Sequence, residues 1–118
     1  FIKGFARTGD TFFGYNVAVE QNGLDEPWIA KPGDRRRFGY YRVDRVDPSQ
    51  RDNAYLHALL LDYSQGENSW ADPARTLRDY LVRVVPGSDD LLLGKAYLAL
   101  GPLRVPVSYF VLERHRRA

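Results

Sequence analysis

LLLGKAYLALGPLRVPVSYFVL, residues 91–112, is two strand-length apolar runs broken at Gly101-Pro102. Each run suits a β-strand and the Gly-Pro break suits a turn, so the stretch predicts a β-hairpin. Alternation in the first arm separates two faces. Leu92, Gly94, Ala96, Leu98 and Leu100 form an apolar side; Leu93, Lys95 and Tyr97 form the other. With the apolar side on the core, Lys95 faces solvent. In the reverse orientation it is a buried cation that needs an anionic partner, either a ligand head-group or Glu113.

The rest of the chain repeats this pattern of short strands and turns. Thr11–Glu20 alternates, with Phe13, Tyr15, Val17 and Val19 on one face. Arg36–Val46, Asn53–Tyr63 and Leu77–Val85 read as further strands, Val105–Glu113 closes the list, and Ile2–Ala6 is a possible seventh. Leu24–Gly33 carries Pro27, Pro32 and Gly33 and reads as a loop, with Trp28-Ile29 packing back as a lid or short strand. Ser64–Ala71 is a polar loop, and Asp72-Pro73 is an N-cap followed by Pro at the first position of one helical turn. Without helical crossovers the sheet is expected to be mainly antiparallel. The fold class is therefore all-β: an antiparallel six- to eight-stranded barrel or strongly curved sheet, with at most one short helix, in a single domain spanning 1–118. Gly14, Gly39 and Gly94 interrupt three strands, as the corners of a small barrel require.

Composition narrows the class further. The chain has 118 residues, 44% of them hydrophobic, with eight Tyr, six Phe and two Trp. It has no Cys, which excludes disulfides, thiol catalysis and thiolate metal sites. Formal charge is +2, with fourteen Arg to three Lys, dispersed among acids. Arg35–Arg37 followed by Phe38, Tyr40 and Tyr41 resembles a nucleic-acid surface. Asp34, Asp44 and Asp47 dilute that field, so nucleic acid is disfavoured as a partner. No apolar run is long enough to span a bilayer. The start at Phe1, without Met, reads as a mature or trimmed product whose preceding residues are missing. The compartment stays open, with the cytoplasm favoured.

Four segments carry a family likeness: LLLDYS at Leu59–Ser64, TLRDYLVRVVPG at Thr76–Gly87, LLLGKAYL at Leu91–Leu98 and SYFVLER at Ser108–Arg114. Together they resemble lipocalin-like, calycin-type small barrels from an uncharacterised bacterial group. Phe13-Gly14-Tyr15 is the nearest match to the Gly-x-Trp of the first lipocalin strand. The resemblance implies storage, transport or sensing of a small apolar molecule in the barrel interior.

No catalytic motif is present: there is no phosphate-binding Gly loop, no Gly-x-Ser-x-Gly elbow and no metal-ligand spacing. The expectation is thus a non-enzymatic binder, with no cofactor and no metal. Tyr15, Tyr40, Arg42, His57, Lys95 and Tyr97 are the strand residues expected to orient a ligand, and Trp28 and Trp70 sit in loops that could cap the mouth. His57 shares a predicted face with Tyr55, Leu59 and Leu61; a core His bonded to a carbonyl or a Tyr is the commoner use of such a position. Arg42 suits either a ligand carboxylate or a cross-strand pair with Asp44 or Asp79. Asp62-Tyr63 and Arg78-Asp79 flank one loop and are expected to pair across it. Two alternatives remain: an isomerase or cyclase with His57 or an acid as base, and a homodimeric interaction or accessory domain.

Overall fold

The computed structural model describes residues 1–20, 29–30 and 37–114. The strands are β1 (Ile2–Thr8), β2 (Thr11–Val17), β3 (Val19–Glu20), β4 (Ile29–Ala30), β5 (Arg37–Arg45), β6 (Leu59–Asp62), β7 (Leu77–Arg83), β8 (Leu91–Leu100) and β9 (Leu103–Glu113). Seven of them form one antiparallel sheet in the order β1-β2-β5-β6-β7-β8-β9, and β3 pairs with β4 as a separate ribbon. The helical backbone among the described residues is two 3-10 turns, Tyr63–Gln65 and Pro73–Thr76. The second starts at the expected Asp72 cap, whose carboxylate accepts from the Ala74 amide at 2.9 Å. None of these helices is long and apolar enough to cross a membrane.

The β8–β9 hairpin forms around the predicted break. Leu100 faces Leu103, and Gly101 takes a φ of 59°, which a side chain would resist in a two-residue loop. The sheet curls without closing. Lys3 Nζ, on edge strand β1, lies 5.4 Å from the ring of Phe110 on the opposite edge strand β9, so the two edges face each other across the inner surface.

That inner surface is filled by the protein's own side chains. Tyr41, Leu61, Tyr63 and Leu81 are the buried centre, with Val43, Leu77, Leu92, Phe110 and Leu112 packed around them. Gly14 lies under the Tyr41 ring and Gly94 under the Phe110 ring; a Cβ at either position would overlap the ring. The expected sharp corner occurs at Gly39 (φ 56°), where the β2–β5 register slips between Gly14 and Asn16.

The predicted third strand is corrected. Only Leu59–Asp62 pairs with β5 and β7; Asn53–Ala58 is irregular. The segment before β6 is pulled over the outer face of the sheet instead. The Asp52 carboxylate accepts from Arg78 Nε at 3.1 Å and from Arg104 Nε. Burial raises the Asp52 pKa, but the two guanidinium groups outweigh it and hold the carboxyl below its usual range. Val46, Ala58, Leu60 and Tyr80 then pack as a second apolar cluster on that face. We expect Asp52→Ala to cost about 2 kcal/mol, the scale of hydrogen bonds to charged groups. Urea unfolding gives that cost, and hydrogen exchange should show the Ala58 amide, bonded to the Tyr55 carbonyl, losing protection first.

Smaller boundary shifts follow from the same pairing. β7 stops at Arg83 rather than Val85, and β9 starts at Leu103, next to the turn. The expected link across the Ser64–Thr76 excursion forms: Arg78 Nε lies 3.4 Å from Asp62 Oδ1, and the Tyr63 hydroxyl donates to Asp79 Oδ2 at 3.0 Å.

Candidate functional site

The outer face of β7, β8 and β9 presents Tyr80, Val82, Leu93, Lys95 and Tyr109 side by side, because strand alternation sends their neighbours inward. The Asp47–Ala58 excursion lays Tyr55 and Ala58 against them. Between these residues lies a cleft of about 170 Å³, almost wholly apolar in lining. Tyr80 packs edge-on against Tyr55 and Tyr97, with centroids 5.3 and 5.7 Å apart.

One cation stands at the mouth. Lys95 Nζ donates to the Tyr55 hydroxyl at 2.9 Å, and that hydroxyl lies 3.1 Å from the Tyr97 hydroxyl. The ammonium sits 5.1, 5.2 and 5.5 Å from the ring centroids of Tyr109, Tyr97 and Tyr55, in cation–π range of all three. The bond to Tyr55, helped by Tyr97 and Tyr109, raises the Lys95 pKa, so the amine stays charged. The same bond lowers the Tyr55 pKa, while Tyr55 in turn raises that of Tyr97. A protonated amine is a binding group rather than a nucleophile.

The residues expected to orient a ligand are only partly brought together. Lys95 and Tyr97 meet, on the solvent side of β8 as the alternation requires. Tyr15 stacks under the Arg37 guanidinium at 4.0 Å, away from this group. The Tyr40 backbone is clamped by Asn68, which donates to its carbonyl at 2.7 Å and accepts from its amide at 2.8 Å. Arg42 makes an ion pair, but along its own strand rather than across to another: its Nε donates to both oxygens of Asp44, two residues on in β5, at 3.0 and 2.9 Å. It lines a second, polar cavity of about 510 Å³ with Asp44, Arg45, Asp47, Asp52 and Asp62. His57 is corrected: it leaves the strand with Asn53–Ala58 and is exposed in a turn, outside the cleft lining. Trp70 is 88% exposed, and Trp28 lies outside the described residues.

Sequence reasoning missed Tyr55, Tyr80 and Tyr109 as a group. It also missed a polar knot on the inner face. Lys3 Nζ donates to Asn16 Oδ1 at 2.8 Å and to the Tyr63 hydroxyl at 2.7 Å, and lies 3.3 Å from Asp79 Oδ2. Burial lowers the Lys3 pKa and raises that of Asp79, and their mutual attraction opposes both shifts. The knot joins β1, β2, β7 and the Tyr63 turn, occupying the space where an interior guest would sit. Among the described residues, no group of three His, Cys, Asp or Glu side chains could hold a metal.

Compared with known proteins, the chain matches no family model, no curated sequence and no solved structure.

Proposed function

We propose that this protein is a non-enzymatic binder of a small, largely apolar molecule, held in the outer-face cleft rather than inside the curled sheet. The observation that carries this reading is the convergence of Tyr55, Tyr80, Val82, Leu93 and Tyr109 on one apolar hollow with a single ammonium at its rim. About 170 Å³ is the size range of one aromatic ring. Burying roughly 150 Å² of such a ring at about 25 cal/mol/Å² supplies about 4 kcal/mol, a millimolar Kd. The resemblance of residues 59–64, 76–87, 91–98 and 108–114 to lipocalin-like barrels is what suggests a storage, transport or sensing role. His57 lies in an exposed turn, so the isomerase or cyclase alternative has no histidine base at this site.

Calorimetric titration with toluene tests the reading. We expect millimolar binding that Tyr109→Ala weakens about tenfold, through loss of one ring wall. Absence of binding up to the solubility limit of toluene would remove the proposal.

A second reading, self-association, is favoured by the edge position of β9, where Val107, Tyr109 and Val111 are all exposed. Sedimentation at increasing concentration separates it: a monomer throughout leaves β9 as a cleft wall only.

A further inference from the structure

Resting on the cleft reading, we infer that the ligand class is an aromatic or similarly compact apolar molecule carrying a carboxylate, with Lys95 as the residue that selects it. The cleft floor is apolar, and its one charged lining group is the Lys95 ammonium. Among the described residues, no Asp or Glu lies within ion-pair reach of Lys95: its partners are the Tyr55 hydroxyl and three tyrosine rings. The neighbours of the ammonium are all neutral: Tyr55 accepts from it at 2.9 Å, and Tyr97 and Tyr109 stand beside it. Arg78 and Arg104, the nearby cations of this face, already hold Asp52. A carboxylate at the rim would therefore complete the electrostatics of Lys95 while its ring enters the hollow. The phenol of Tyr109, 66% exposed beside the amine, is placed to add a hydrogen bond. The ammonium stays in reach of water, so the gain from pairing is modest, about fivefold in affinity.

Three probes of one size decide it: benzoate, toluene and benzylammonium, titrated by calorimetry into the whole protein and into Lys95→Met. Lys95 sits at the surface, so the variant should keep its urea midpoint, and that midpoint is measured alongside. Benzoate is expected to bind about fivefold more tightly than toluene and benzylammonium most weakly, and Lys95→Met is expected to erase the advantage of benzoate over toluene. Equal binding of benzoate and toluene, or an advantage that survives Lys95→Met, overturns the carboxylate assignment and leaves the apolar cleft standing. Preferred binding of benzylammonium also overturns it, because the tyrosine rings would then be accepting an external cation in place of the lysine. If none of the three binds, the cleft reading falls with it.

Discussion

Asp79→Ala lowers the stability of the fold by about 4 kcal/mol, more than any other single substitution considered. The reason lies in what it strands. The Asp79 and Lys3 side chains are 5% and 10% exposed, and deleting one partner of a buried pair leaves the other charge without compensation, at a cost of about 3–5 kcal/mol. Lys3 keeps its acceptors on Asn16 and Tyr63 but no anion. Its pKa, already lowered by burial against an opposing Asp79, falls further. A lysine whose folded pKa lies below the unfolded 10.5 binds fewer protons folded than unfolded in that window. The variant therefore gains stability as pH rises through the folded pKa toward 10.5.

Lys3→Met has the opposite slope. The Asp79 pKa, raised by burial, loses the ammonium that was holding it down. The folded carboxyl then keeps its proton above the unfolded 3.8, so stability is highest at low pH and is lost as pH rises through the folded value. Lys3→Met/Asp79→Leu should recover most of the loss, since an apolar pair of similar volume leaves no charge to solvate. Urea unfolding across pH measures all three variants. A cost below 1 kcal/mol for Asp79→Ala, or slopes of the same sign in the two single variants, would show that the pair is not buried together.

The second large effect is at Gly14. An added Cβ would overlap the Tyr41 ring and the Gly4 carbonyl oxygen. Tyr41 is fully buried, and its hydroxyl donates to that same carbonyl at 2.8 Å, so the ring cannot swing aside without giving up a bond. Gly14→Ala should cost about 3 kcal/mol, at the upper end of overpacking. Pairing it with Tyr41→Leu removes the ring that the methyl meets, so the double variant should be less destabilised than the sum of the two single ones. Strict additivity in urea unfolding would mean that the two residues do not touch.

Strand identity was readable where alternation and turn chemistry agreed. Gly101-Pro102 set the β8–β9 turn, and of the two orientations open to β8 the structure takes the one with Leu92, Gly94 and Ala96 inward. The interior glycines were legible as a feature but not as a mechanism: Gly39 marks a bend, whereas Gly14 and Gly94 make room for rings that come from other strands. In Asn53–Tyr63 the pattern misled. Tyr55, His57 and Leu59 alternate like a strand, but Asp52 is captured by Arg78 and Arg104 from distant elements, and no local signal records that. The candidate site was hidden by one bulge. The turn pairs Leu98 with Val105 and Tyr97 with Pro106; one residue slips, and Lys95 then faces Tyr109. Carried straight on from the turn, the register would have set Ser108 there and turned the tyrosine inward. Pro106 has no amide hydrogen to give a ladder, and it stands at the slip.

Amide and methyl NMR shifts during a benzoate titration separate a guest in the outer cleft from a guest within the curl. The expected result is perturbation at Val82, Leu93, Lys95 and Tyr109, with Leu61, Leu81 and Phe110 unmoved. Perturbation centred on Leu61, Leu81 and Phe110, with the outer-face residues silent, would contradict it.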